Sequence, residues 1–233
     1  MTGTGEGNTA CNAATVRETA LAGEIVRKGG CVMKILGAFG LAVLVAMPVG
    51  GKPASSAIDR GPATAVFAGG CFWCMEEVFE QVEGVISVTS GYTGGLKKNP
   101  TYEQVSSGIT GHAEAIEVLY DPVKVGYGKL LEVFWRNVDP TTPNQQFCDI
   151  GSQYRSAIFY QDETQKRLAE DSKKAVEASK PFQGDIATQI VPASEFYPAE
   201  DYHQNFYKKN PFRYKFYKYN CGRAQRLAEL WGK

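Results

Sequence analysis

One change of period constrains this chain more than any other feature. Ala65-Val66-Phe67-Ala68 is an unbroken apolar run, Gly69-Gly70 interrupts it, and Cys71-Phe72-Trp73-Cys74 follows. Beyond that point Met75, Val78 and Phe79 recur on one side at helical spacing, with Glu76, Glu77 and Glu80 towards the other. The order predicts a strand, a glycine turn and a helix, with Cys71 at the helix N-terminus. Unpaired N–H groups and the positive end of the helix dipole stabilise an anion there. A thiol in that position is expected to lose its proton easily, and the thiolate is the nucleophile. Phe72 and Trp73 are placed to wall a small apolar pocket. A cysteine beside an aromatic pair is also often only core.

The rest of the domain alternates irregularly between strand and helix patterns. Val85 to Tyr92, His112 to Tyr120, Arg155 to Tyr160 and Ile186 to Pro192 read as strands. Tyr102 to Ser107, Tyr127 to Arg136, Asp162 to Ser179, Tyr202 to Lys209 and Leu227 to Trp231 read as helical. Asp139 to Gly151 is a long turn-rich segment, and such loops are more often functional than idle. The tail is basic and aromatic, with Tyr214, Phe216, Tyr217 and Tyr219 before Cys221-Gly222, and is read as mobile. The fold class expected is α+β: a mixed sheet with packed helices, a two-layer, ferredoxin-like sandwich in a single domain over 61–233.

The first 60 residues differ in kind. Residues 1–32 carry no sustained apolar period and read as a non-native or disordered extension. Met33-Lys34 then opens an apolar run of about 13 residues ending in small residues at Ala54-Ser55-Ser56-Ala57, the order of a secretory signal peptide. The run is short for a membrane span, which takes about 20 residues. We expect 33–57 to be a signal peptide starting near Met33, and the protein to be exported, periplasmic or extracytoplasmic. The alternative is a membrane anchor.

Composition excludes several classes of function. Lys plus Arg and Asp plus Glu both number 25, so no electrostatic preference for nucleic acid is built in. Six cysteines in 233 residues are too few for a disulfide scaffold. With two histidines, His112 and His203, no metal centre is expected, and no cofactor motif such as a P-loop is present.

Several polar residues stand out beside Cys71. Glu114 lies between alanines on an otherwise apolar strand, either solvated or a buried acid with a raised pKa. Asp149 and Tyr154 lie in Cys148-Asp149-Ile150-Gly151-Ser152-Gln153-Tyr154-Arg155-Ser156, and Tyr102 follows Asn99-Pro100-Thr101. Together these stretches resemble the peptide methionine sulfoxide reductase A family from about Ala65 to Trp231. The motifs that carry the likeness are G-C-F-W at 70–73, G-H-A-E at 111–114, D-x-G-x-Q-Y-R-S at 149–156 and A-E-D-Y-H-Q at 199–204.

The resemblance implies thiol-dependent reduction of methionine S-sulfoxide, free or in proteins, as repair of oxidative damage. It implies Cys71 as the nucleophile that becomes a sulfenic acid, and Phe72 and Trp73 as walls around the substrate methyl group. It implies Glu114 as the acid that protonates the sulfoxide oxygen, Tyr102 and Tyr154 as hydroxyl donors to it, and Asp149 as the residue ordering a nearby polar group. A sulfoxide oxygen leaves poorly until protonated, and a carboxyl stays neutral near pH 7 only in an apolar site. A second thiol then closes a disulfide, which a thioredoxin-type reductant reopens. A monomer is expected.

This sequence departs from the family pattern at four places. Cys74 stands where many relatives have glycine, and Phe206 where many have tyrosine. Cys148 adjoins Asp149, and the tail holds Cys221 in place of a cysteine soon after Lys209-Asn210-Pro211. Candidates for the resolving thiol are therefore Cys221, ranked first for its tail position, then Cys74 and Cys148. A thioredoxin-like oxidoreductase also uses CxxC at a helix start, but leaves Glu114, Tyr102 and Tyr154 without a role. A zinc site of Cys71, Cys74, Cys148 and Cys221 lacks a second CxxC and leaves Phe72-Trp73 unexplained.

Overall fold

The computed structural model describes residues 61–232. The expected extension at 1–32 and signal peptide at 33–57 lie outside the described residues. In chain order the elements are β1 (Ala63–Gly69), α1 (Phe72–Glu80), β2 (Val85–Thr93), α2 (Tyr102–Ser106), β3 (Ala113–Tyr120), α3 (Tyr127–Trp135), β4 (Gln145–Gln146) and β5 (Asp149–Ile150). They continue with β6 (Ser156–Tyr160), α4 (Glu163–Ser179), β7 (Gln189–Pro192), β8 (Tyr197–Pro198), α5 (Phe206–Lys209), α6 (Pro211–Asn220) and α7 (Arg223–Trp231).

The sheet is mixed, as expected of an α+β chain. Its order is β7-β6-β1-β3-β2-β8. Every pairing is antiparallel except β6 with β7. The two-residue period of a strand sorts the side chains to two faces. Ala65 and Phe67 of β1 join Phe72, Met75 and Phe79 of α1 and Leu130, Leu131 and Phe134 of α3 in the main core. Val66 and Ala68 face the other way, with Ala113, Ala115, Ala157 and Phe159. That explains the unbroken apolar run in β1: both faces are covered.

Three expected elements differ from those observed. The strand expected over 186–192 is confined to β7, and residues 201–205 form a turn before α5. Asn205 takes the left-handed conformation there, φ 53°. The largest difference is the tail, where α6 replaces the expected mobile segment and the helix expected from Leu227 to Trp231 begins already at Arg223. Pro211 sits in the first turn of α6, where its missing N–H costs nothing. The inward face of α6 is fixed by polar contacts: Tyr214 donates to Glu77 at 2.6 Å, Lys218 pairs with Glu77, and Tyr217 donates to Asp149. A helix held this way shows no apolar period in its sequence.

Candidate active site

Gly70 makes the turn between β1 and α1. Its φ is +80°, and a Cβ there would come within 2.5 Å of the Gln146 side chain. The turn therefore needs glycine, and the 139–151 loop packs directly against it. Cys71 follows as the N-cap of α1 with non-helical φ −51° and ψ 119°. Its carbonyl accepts from the N–H of Cys74 at 3.1 Å. The first free amide of the helix, Phe72 N–H, points at Glu114 and donates to its Oε2 at 3.1 Å.

Strand register decides the surroundings of Glu114. On β3 it shares a face with Ile116 and Val118, both in the main core, whereas Ala113 and Ala115 lie on the opposite face. Glu114 is 2% exposed. Burial pushes its carboxyl up to about 8, against the Phe72 amide and helped by the negative charge of Asp149 and Cys74. It is a neutral acid at pH 7.

The eight side chains of Cys71, Phe72, Trp73, Tyr102, Glu114, Asp149, Tyr154 and Tyr217 surround one cavity of about 60 Å³. The structure thus brings the expected nucleophile, acid, tyrosines, aspartate and aromatic walls to one place. Burial raises the Tyr102 hydroxyl to about 12 and raises Tyr154 as well, so both remain proton donors across the accessible pH range. Asp149 is also raised by burial, against the hydrogen bond from Tyr217 and the charge of Arg223.

The expected easy ionisation of Cys71 is not what the buried site produces. Cys71 is 5% and Cys74 2% exposed. Burial pushes the Cys71 thiol well up, Cys74 and Glu114 add to that, and a hydrogen bond from Tyr217 opposes it. Cys74 is pulled down to about 6, first by the hydrogen bond from Cys71, with Arg223, Tyr214 and Lys218 assisting. The two thiols titrate as a pair. Within the pair the Cys71 thiol is pushed up and the Cys74 thiol pulled down.

The other two candidate thiols are bonded to each other. Cys148 and Cys221, 73 residues apart, form a disulfide with Cα atoms 4.9 Å apart. The four cysteines therefore divide into a free buried pair and a bonded pair. Cys148 is exposed. The bond lies directly behind the cavity wall: Cys148 Sγ is 3.7 Å from Asp149 Oδ1, and Cys221 Sγ is 3.9 Å from Asp149 Oδ2.

Sequence reasoning missed three residues here. Tyr217 reaches the cavity from α6, so the hydroxyl that Phe206 lacks has a counterpart from another element. Phe206 stacks on Trp73 with centroids 3.7 Å apart. Glu200 and His203 brace the cavity walls. Glu200 accepts from Tyr102 N–H at 2.9 Å and from Tyr92 Oη at 2.8 Å. His203 Nδ1 accepts from the Trp73 indole N–H at 3.1 Å, and burial lowers its pKa, keeping it neutral. The A-E-D-Y-H-Q motif was the available signal for these two. Only a helical reading of the tail would have found Tyr217.

The profile of a family described as peptide methionine sulfoxide reductase matches residues 63–233. A protein from Bacillus licheniformis named peptide methionine sulfoxide reductase MsrA is 50% identical over 169 residues, 72% of this chain and 93% of its own length. One of the same name from Ligilactobacillus salivarius is 52% identical, over 72% of this chain and 97% of its own. Among solved structures, reduced Mxr1 of Saccharomyces cerevisiae superposes with a TM-score of 0.61 at 33% identity, covering 64% of this chain and 86% of that one. Methionine sulfoxide reductase A of Corynebacterium diphtheriae gives 0.61 at 37% identity, over 65% and 76%.

Proposed function

This chain belongs to the peptide methionine sulfoxide reductase family, and from that premise we propose how its own residues carry the reaction. The enzyme reduces methionine sulfoxide to methionine at the expense of thiols. The observation that carries the mechanism is the opposition of Cys71 and the neutral carboxyl of Glu114 across a 60 Å³ cavity. The substrate methyl group sits between Phe72 and Trp73, with its oxygen towards Glu114, Tyr102 and Tyr154. The Cys74 thiolate takes the proton of Cys71 as Cys71 sulfur attacks the sulfoxide. Glu114 gives its proton to the oxygen. The oxygen leaves with Cys71 as the sulfenic acid, methionine departs, and Glu114 is left ionised until solvent restores its proton. The S epimer, free or in a peptide, is the substrate we infer.

For recycling we propose that Cys74 acts first. It is the free thiol hydrogen-bonded to Cys71, whereas Cys221 is tied to Cys148. Attack of Cys74 on the sulfenic acid closes the Cys71–Cys74 disulfide and releases water. A thioredoxin-type dithiol opens Cys148–Cys221, whose Cys148 is exposed, and the freed thiols exchange with the buried disulfide. The oxidised outer pair and reduced inner pair in this structure match the state after such an exchange. Starting from fully reduced enzyme and one equivalent of sulfoxide, rapid acid quench and peptide mapping should find Cys71–Cys74 first and Cys148–Cys221 later. Cys71 joined to Cys148 or Cys221 at the earliest times would defeat this order.

The finer fold assignment rests on topology. The order β6-β1-β3-β2, all antiparallel, with α1 following β1 and α3 following β3, supports a ferredoxin-like core extended by β8 and β7 at its edges. A monomer remains our reading of the oligomeric state. Export and oxidative-damage repair outside the cytoplasm rest on the basic, apolar and small-residue order of 33–57. N-terminal sequencing of the protein from its native host is expected to find a start near Ala57; a mature chain beginning at Met1 or Met33 would count against cleavage.

A further inference from the structure

Tyr217 and its partner Asp149 are the cavity residues without a part in the steps above. The Tyr217 hydroxyl donates to Asp149 Oδ2, its ring meets Trp73 edge-on with centroids 5.9 Å apart, and it faces Cys71 across the cavity. With Asp149 it also lies next to the disulfide, its hydroxyl 4.0 Å from Cys221 Sγ. Cys221 N–H donates to the Tyr217 carbonyl at 2.9 Å, so the two lie one helical turn apart. Cys148 directly precedes Asp149. The disulfide thus staples together the two backbones that carry the two partners of one hydrogen bond, the β5 strand and the last turn of α6.

We propose that Tyr217 is a further catalytic residue of this reaction, a hydroxyl that serves the Cys71 sulfur and is held in place by the Cys148–Cys221 disulfide. The inference rests on the functional reading above and assigns a contact to the same site. In the resting site the hydroxyl proton is on the Asp149 side. As Cys71 passes its proton to Cys74, the sulfur becomes the stronger acceptor, and the hydroxyl turns to it. No proton leaves Tyr217: the S–H bond of Cys71 breaks, an S–H bond on Cys74 forms, and the tyrosine O–H only changes its acceptor. The Tyr217 hydroxyl is already the group that counters the upward push on Cys71. Glu114, Asp149, Cys74, Tyr102 and Tyr154 are the other titratable groups around that sulfur, and Arg223 and Lys218 supply positive charge on the Cys74 side.

Opening the disulfide removes the staple, although Tyr214 and Lys218 still hold the middle of α6 to Glu77. Reduction of sulfoxide is therefore faster when the outer pair is oxidised than when it is reduced. The outer disulfide then both stores the result of one cycle and readies the cavity for the next.

The test uses the full chain in single turnover with a methionine sulfoxide peptide. Tyr217→Phe is expected to slow sulfenic acid formation about 10- to 100-fold, the worth of a hydrogen bond to a charged group. The double variant Cys148→Ser/Cys221→Ser is expected to be slowed too, and adding Tyr217→Phe to it should cost little more, since both remove one contact. In a second arm, the pH at which Cys71 becomes alkylable by iodoacetamide should move up in Tyr217→Phe and in the double variant. That arm needs no sulfoxide, so it reads the contact even if the wild-type chain fails to reduce the peptide, which would strike the parent reading instead. An unchanged alkylation profile in Tyr217→Phe would overturn the proposal. So would fully additive losses in the triple variant, or a wild-type rate indifferent to the state of the outer disulfide.

Discussion

Glu114→Gln slows single-turnover reduction of a methionine sulfoxide peptide by about 10²–10⁴-fold, the range of a lost general acid. The amide keeps the shape and can still accept from Phe72 N–H, so substrate binding changes little and the loss falls on the chemical step. Wild-type enzyme loses the same step with pH. The acid works only while protonated, and Glu114 titrates at about 8, so the rate falls as pH rises through that value. The variant shows no such limb. Stability moves the other way. An unfolded carboxyl releases its proton near 4.5 whereas the folded one holds it to about 8, so between these values folding takes up a proton and wild-type stability falls as pH rises. Glu114→Gln should therefore be the more stable protein at pH 9, by on the order of a few kcal/mol. Stopped-flow rates and urea melts at pH 6 and pH 9 check both halves. An unchanged rate in the Gln variant would remove Glu114 from the chemistry; equal melts at pH 9 would mean that folding does not raise the pKa of this carboxyl.

Cys71→Ser abolishes turnover, with a loss of at least about 10³-fold whether dithiothreitol or a thioredoxin-type protein supplies electrons. Serine can occupy the N-cap and can donate to Cys74, so the fold and the cavity survive. It cannot take up the sulfoxide oxygen as a sulfenic acid, because that species requires sulfur. Wild-type enzyme treated with sulfoxide in the presence of a sulfenic acid trap should carry the label on Cys71, and the variant should carry none. Near wild-type reduction by Cys71→Ser, or a trapped label on Cys74, would relocate the nucleophile.

The features legible in the sequence share a short range. The strand, the Gly69-Gly70 turn and the start of α1 are set by periodicity and by the positive φ of Gly70, each decided within a few residues. Glu114 was legible only as a choice between a solvated and a buried carboxyl. Its alanine neighbours fit either phase of the strand, and the phase is settled by pairing of β3 with β1 and β2. The tail was misread because its helix is held by Glu77 and Asp149, which belong to elements far back in the chain.

The sequence by itself determined where the candidate nucleophile Cys71 stands, which residue types surround it and which motifs tie the chain to its family. Tertiary structure alone decided the chemistry of those groups. Cys71 sits at a helix N-terminus in either account, but burial beside Cys74 pushes the Cys71 thiol up where the helix end by itself would lower it. Cys148 and Cys221 pair across 73 residues because α6 packs its inward face against α1 and the Asp149 strand. Tyr217 enters the cavity for the same reason. Local pattern reports the sterics and hydration of neighbouring residues. A pKa, a disulfide partner or a hydrogen bond across a cavity depends on the dielectric and distance created when remote elements pack, and no window of the sequence contains them.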